Sequence, residues 1–383
     1  MSGSHAPLGI YVHWPFCARI CPYCDFNVYR QRGTDPRDLL AAISADAAGH
    51  AAQLGARPAA TVFLGGGTPS LMESDDVARL IAAIDQAFPL AADVEITLEA
   101  NPEDRARFDA FVRAGVTRLS IGLQALVDAD LSALGRTHDS AAGRAAVEDA
   151  AATGARVSVD LIYARHGQAP QAWADELGAA LALPVEHFSL YQLTIETGTA
   201  FERAVRRGRI APPPAEAAAD LYALTQALCD AAGAPAYEVS NHARGPAAQS
   251  RHNRLYWEGA DWLGLGPGAH GRIPLEGVRT ATVAARTPAA YVAAVAAHGV
   301  GWAETEPLDP VDEAEERLMM GLRLLDGVAL APLEARRGRP FARAALDDLI
   351  GGGLVVFDGV TLRVTAEGRL LTDRIARELC LAP

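Results

Sequence analysis

Leu8-Gly-Ile-Tyr-Val-His13-Trp-Pro-Phe-Cys17-Ala-Arg-Ile-Cys21-Pro-Tyr-Cys24-Asp25-Phe26 couples a strand signal directly to a thiol-rich loop. The apolar run Leu8–His13 reads as a strand buried on both faces, the pattern of a parallel sheet. The loop carries three cysteines as CxxxCxxC. Thiolates are soft ligands suited to iron–sulfur clusters, zinc or copper. A structural zinc site takes four protein ligands, commonly from two cysteine pairs. No second pair exists here, so a fourth ligand would have to come from His13 or His252. Three cysteines on a cubane leave one iron open, much as a catalytic zinc keeps an open position, and Cys17, Cys21 and Cys24 are read as such a cluster site.

The strand-to-loop-to-helix unit repeats along the chain. Helical spacing from about Pro36 to Leu54 precedes a strand at Ala60–Leu64, the loop Gly65-Gly66-Gly67-Thr68-Pro69-Ser70, and a helix from about Ser74, a plausible N-cap, to Phe88. Further strands are expected at Val94–Leu98, Arg118–Ile121, Arg156–Ile162 and His187–Leu193, with helices at about Glu103–Ala114, Ser140–Thr153 and Ala169–Leu183. Six such units imply an α/β fold with a parallel sheet and right-handed crossovers. They are too few for a closed eight-stranded barrel, so the expectation is a partial (β/α)6 TIM-like barrel. In such folds ligands sit at the C-terminal ends of the strands. The cysteines, the triple glycine, Glu99, Gln124 and Asp160 all fall at that rim. Glycine lets a backbone approach a ligand closely, carboxylates accept hydrogen bonds, and Gln124 and Arg136 can donate to carboxylate or carbonyl oxygens.

Composition narrows the classes. The chain has 383 residues, half of them hydrophobic, with a formal charge of −13, which argues against a nucleic-acid partner. All 34 basic residues are arginine, which removes Schiff-base lysine chemistry and a Walker phosphate loop. The N-terminus lacks a basic n-region and no long apolar run occurs, so neither signal peptide nor membrane span is expected, and the cytoplasm is the expected compartment. Cys229 and Cys380 read as buried thiols.

Beyond the barrel, Pro212-Pro-Pro214 opens a helix running to about Ala232, and Tyr237–Asn241 reads as a short strand. The segment 241–308 reads as a connection carrying His252-Asn253-Arg-Leu-Tyr256-Trp257. Gly264-x-Gly266-x-Gly268 has no nucleotide-binding helix after it and is not read as a dinucleotide site. From Asp309 the pattern is three helices, two short strands joined by Asp358-Gly359, and a last helix, a winged-helix-like α+β domain over 309–383. With ten arginines against thirteen acidic residues, this tail reads as a lid or docking module and not as a DNA reader.

The cysteine loop resembles that of the radical S-adenosylmethionine (SAM) superfamily. Tyr11-Val-His-Trp-Pro-Phe-Cys17, Gly65–Ser70, Glu99-Ala-Asn-Pro102, Ser120-Ile-Gly-Leu-Gln124 and Tyr191–Phe201 are similar to the oxygen-independent coproporphyrinogen III oxidase family, from about Leu8 to His270. That resemblance implies a [4Fe-4S] cluster on Cys17, Cys21 and Cys24, with SAM against Tyr11, Gly66, Gly67, Thr68, Glu99, Gln124, Arg136 and Asp160. The decarboxylating branch has a longer N-terminal extension and a fourth cysteine two residues after the third, where this chain has Phe26. Cys-Pro-Tyr-Cys-Asp-Phe and His-Asn-x-x-Tyr-Trp instead resemble the heme chaperone branch. This implies heme as cargo, His252 as candidate heme ligand, recipient hemoproteins, an electron donor, and peripheral membrane association through partners. The alternative is an enzyme, a coproporphyrinogen III dehydrogenase of porphyrin biosynthesis; a zinc-stabilised binding protein is a third class. One departure stands out: Ala164-Arg165-His166 replaces the family's Gly-Leu-Pro beside Asp160, which puts the local loop geometry in question.

Overall fold

The computed structural model describes residues 8–30, 35–55 and 57–381. One eleven-stranded sheet organises them. Its first six strands are β1 (Leu8–Trp14), β2 (Ala59–Gly66), β3 (Leu90–Ala100), β4 (Arg118–Gln124), β5 (Arg156–Tyr163) and β6 (His187–Gln192), each pairing in parallel with the next. Helices Pro36–Leu54, Ser74–Ala87, Phe108–Arg113, Ser140–Ala152 and Pro170–Leu181 form the crossovers. Along each strand the outward residues bury apolar side chains against these helices: Ile10 and Val12, Val62 and Leu64, Ile96 and Leu98 are all at most 3 % exposed. The alternate residues point inward. At a rough 1.5–3 kcal/mol for each fully buried large side chain, this outer layer supplies most of the drive to fold.

The expected six-unit barrel is present. The segment 241–308, expected as a connection, instead extends the same sheet. Strands β7 (Asn241–Ala243), β8 (Asp261–Leu265), β9 (His270–Leu275), β10 (Val278–Ala284) and β11 (Trp302–Pro307) all join it, and β8 pairs in parallel with β1. The glycines explain the tight fit. A Cβ on Gly264 would stand 2.3 Å from the His270 carbonyl, and one on Gly266 2.3 Å from the His13 carbonyl. The Gly-x-Gly-x-Gly run is therefore a packing device. Strand Tyr237–Asn241 is not formed; only Asn241–Ala243 pairs, antiparallel to β6. The helix expected from Ser74 does start there, but Glu73 holds the cap position without a side-chain bond, and Asp75 and Asp76 face the helix N-terminus.

The C-terminal residues build a separate core around Leu318, Leu322, Leu346, Leu362 and Ile375. The expected order of three helices, a hairpin and a last helix is seen, with a further two-residue strand, Val328–Ala329, pairing onto Thr361–Val364. Among the described residues, no helix is long and apolar enough to cross a membrane.

Candidate functional site

At the C-terminal ends of β2 to β6 lies a cavity of about 330 Å³. Its walls bring together Cys17, Cys21 and Cys24 with Gly66, Gly67, Thr68, Glu99, Gln124, Arg136 and Asp160. Of the residues singled out from sequence, only Tyr11 and His252 lie outside this lining.

The cysteine loop is held at both ends. Phe16–Cys17 pairs with Tyr29–Arg30, and Asn27 donates to the carbonyls of Pro267 and Arg286 at 2.9 and 2.8 Å. Between these, Tyr23 packs on Phe201 and the small cluster Ala125, Leu131 and Leu134. The Phe201 amide donates to the Pro22 carbonyl at 2.9 Å. All three thiols are free of disulfides. Burial raises the Cys17 thiol, and pushes Cys24 up to about 11. Arg136 answers part of that cost: Nη1 donates to Cys21 Sγ at 3.7 Å, and Nη2 to Asn101 Oδ1 and the Gly122 carbonyl at 2.6 and 3.0 Å. Among the described residues, no three His, Cys, Asp or Glu groups are gathered tightly enough to hold a single metal ion. Three free thiols around a cavity, with a guanidinium beside one sulfur, suit a cluster of several irons carrying negative charge.

The triple-glycine loop lies against the strand leading into the cysteines. Gly67 and Thr68 donate amides to the Trp14 and Phe16 carbonyls at 2.7 and 2.9 Å. A Cβ on Gly67 would lie 2.6 Å from the Phe16 carbonyl, and Gly66, at φ 106°, sits over the His13 ring.

Two carboxylates face the cavity. Glu99 accepts the Gly66 amide at 3.0 Å, and burial, then Asp160, raises it to about 7. Asp160 is raised to about 6, chiefly by burial, against hydroxyls from Ser189 and Ser120 and the pull of Arg118 and Arg136. Both are half-buried, their exposed part lining the cavity. Gln124 adopts φ 67°, a left-handed conformation costly for a residue with a Cβ. Such outliers persist where the surroundings over-determine them; here the bulge between Gly122 and Gln124 turns the side chain into the cavity.

The departure at Ala164-Arg165-His166 has a structural basis. Ala164 takes φ 58°, where glycine would fit without cost. Arg165 is buried and pairs with Glu176 and with Asp130 at 2.9 Å, while Nη1 donates to the Ile162 carbonyl at 2.8 Å. Glu176 in turn accepts the Leu126 amide at 2.7 Å. The substitution thus ties the loop after β5 to the loop after β4.

Tyr11 points into the barrel beneath the cavity, its hydroxyl 2.9 Å from His13 Nδ1. His252 lies apart from the cavity. It lies on helix Arg251–Trp257, which plugs the opposite end of the barrel, and is 1 % exposed. Its Nδ1 is 2.7 Å from the Thr61 hydroxyl, its Nε2 2.8 Å from the Tyr256 hydroxyl, and its ring stacks on Phe63. Burial drops it to about 3. Both nitrogens are thus engaged inside the fold. Cys380, expected buried, is half-buried at the end of the last helix, whereas Cys229 is fully buried.

Sequence reading passed over Tyr191, Gln192 and Asn101, which also line the cavity. Strand alternation would have found Tyr191, two residues past Ser189 on the inward face of β6 and level with Ile162 of β5.

The family model of the radical SAM superfamily matches residues 11–177, and that of the HemN C-terminal domain residues 308–371. The chain is 40 % identical over 379 residues to the heme chaperone HemW of Mycobacterium tuberculosis, covering 97 % of this chain and 95 % of that one. It is 33 % identical over 385 residues to HemW of Escherichia coli, with 98 % of each covered. The mitochondrial radical S-adenosyl methionine domain-containing protein 1 of Bos taurus is 38 % identical over 387 residues, covering 97 % and 86 %. The solved coproporphyrinogen III oxidase HemN of E. coli superposes with a TM-score of 0.82 over 98 % of this chain and 91 % of its own, at 24 % identity. That match shows the fold, a partial TIM-like barrel with a C-terminal domain. With both domains matched in order and full-length relatives this similar, the chain belongs to the HemN-like family of radical SAM proteins, on its HemW branch.

Proposed function

We propose that this protein is a heme chaperone of the radical SAM type. It binds heme and delivers it to hemoproteins, with a [4Fe-4S] cluster on Cys17, Cys21 and Cys24 and SAM in the adjoining cavity. The observation that carries the reading is the gathering of three free thiols, two raised carboxylates and Arg136 in one cavity, in a chain that follows heme-chaperone-named relatives over nearly their whole length.

When bound, such a cluster supplies a single-electron donor with one open iron for SAM's amino and carboxylate groups. The chain's own residues do the rest. Gly66 and Gly67 let the backbone close on the methionyl end without side-chain obstruction. Glu99, once ionised, accepts hydrogen bonds from the ammonium or the ribose, and Asp160 from a ribose hydroxyl. Gln124 and Arg136 donate to carboxylate oxygens, and Arg136 also donates to the Cys21 sulfur. Tyr11 acts from below by fixing His13, and His252 acts by filling the barrel floor. A separate electron donor, recipient hemoproteins and membrane association through those partners complete the proposal.

The test is anaerobic reconstitution with iron and sulfide, followed by metal and sulfide analysis and a heme titration. About four irons and four sulfides per chain, lost in a Cys17→Ala/Cys21→Ala/Cys24→Ala variant, together with saturable heme binding, is the expected result. Stoichiometric zinc without sulfide, or no heme binding, would overturn it.

A further inference from the structure

A second cavity, of about 180 Å³, opens between the barrel and the C-terminal domain. Tyr163 and Leu190 line its barrel side, Tyr222 of helix Ala215–Ala231 stands beside them, and Arg369 and Thr372 line its C-terminal side. Gln192 lines this cavity and the large one alike, so the two adjoin at the end of β6.

The feature that needs a partner is Arg369. Six arginines are buried among the described residues: Arg57, Arg118, Arg165, Arg279, Arg337 and Arg369. Each of the first five has a carboxylate within ion-pair distance. Arg369, 7 % exposed, has none among the described residues. Its Nη1 donates to the Arg323 carbonyl at 3.3 Å, and its Nη2 has no partner. The nearby acidic groups are engaged elsewhere: Glu238 accepts from the Ser240 amide at 2.9 Å and the Asn241 side chain at 2.5 Å, and Asp373 pairs with Arg323 at 2.7 Å. A guanidinium buried without counter-charge is costly, and a cavity beside it lined by the Tyr163 and Tyr222 side chains is the place for an anionic group; the Thr372 hydroxyl already donates to the Arg369 carbonyl at 2.8 Å. Two exposed apolar side chains adjoin it: Leu370, which lines this cavity and is 53 % exposed, and Tyr191, which lines the large one beside Gln192 and is 44 % exposed.

We infer that this pocket takes the carboxylate arm of a flat, apolar cargo lying across Tyr191 and Leu370. On the heme-chaperone reading, on which this rests, that arm is a heme propionate held by Arg369. The cargo then rests over the mouth of the SAM cavity, with no call on His252.

The test titrates ferric heme and its dimethyl ester, which lacks the carboxylates, into the full chain and its Arg369→Gln and Arg369→Lys variants, with folding checked by thermal melts. Arg369→Gln should weaken heme binding about tenfold and leave ester binding unchanged, since a charged hydrogen bond of this kind carries roughly that weight. Wild type should prefer the acid to the ester by a similar factor, and Arg369→Lys should keep part of the preference. Equal heme affinity in wild type and Arg369→Gln, or equal losses for acid and ester, would overturn the propionate site while the chaperone reading stood. Failure of wild type to bind heme at all would instead remove that reading. Should Arg369→Gln not fold, Tyr222→Phe with the same acid-to-ester comparison replaces it.

Discussion

Glu99 offers the sharpest perturbation, because stability and binding should move in opposite directions. Its carboxyl is raised from 4.5 to about 7, first by burial and then by Asp160. A group whose folded-state value lies above its unfolded value contributes stability that is complete below pH 4.5 and lost as pH rises through 7. At pH 8 the ligand-free protein therefore holds Glu99 charged at a cost of about 2–3 kcal/mol, taking 1.36 kcal/mol per unit and allowing for the side that faces the cavity. In Glu99→Gln the amide oxygen can still accept the Gly66 amide, but the buried charge is gone. Urea unfolding without SAM should show the variant more stable by about 2 kcal/mol at pH 8 and by under about 1 kcal/mol at pH 5. The same variant should lose SAM affinity by about tenfold or more, since a charged acceptor becomes a neutral one. An unchanged or lower stability at pH 8, or a gain equal at both pH values, would refute the reasoning.

Four further outcomes follow from the same geometry. SAM affinity of the wild type should rise about tenfold from pH 6 to pH 8, as Glu99 ionises through its value near 7; equilibrium dialysis across that range checks it. Arg165→Leu strands the buried carboxylate of Glu176, so denaturant unfolding should register a loss of about 3–5 kcal/mol. Gly67→Ala drives a methyl toward the Phe16 and Trp14 carbonyls; the expected cost is on the order of 2 kcal/mol, with weaker cluster retention on gel filtration after reconstitution. His252→Ala removes two hydrogen bonds and a stacked ring from the barrel floor, costing about 2–4 kcal/mol and leaving heme affinity unchanged in a titration.

The barrel half was legible because each strand is a short apolar run followed at once by a polar or glycine-rich loop and an amphipathic helix. The rim residues were legible for the same reason: in a parallel sheet every strand-to-helix loop opens on one end, so Glu99, Gln124 and Asp160 had to converge. The sheet's extension was not. Strand Asp261–Leu265 is five residues long with a glycine at its fourth position, and its parallel partner is β1, some 250 positions earlier; no local pattern reports such a pairing. The hairpin of β9 and β10 hid likewise, since Glu276 and Gly277 both take positive φ while only the glycine signals it. For His252, a histidine among aromatic residues looks open from sequence, and only the fold shows Thr61 and Tyr256 closing on both nitrogens. Arg165 was seen as an oddity, but its role as a strut needed the positions of Glu176 and Asp130. Arg369 gave no signal at all, because an arginine short of a carboxylate is a fact of three dimensions.

A protein that carries heme and one that makes its precursor differ in what leaves this cavity. The most direct measurement incubates the reconstituted protein with SAM, reductant and coproporphyrinogen III, and follows porphyrin products while a parallel sample is loaded with heme and mixed with an apo-hemoprotein. The account predicts unchanged coproporphyrinogen and heme transferred to the acceptor. Protoporphyrinogen formation with turnover, and no transfer of heme, would contradict it.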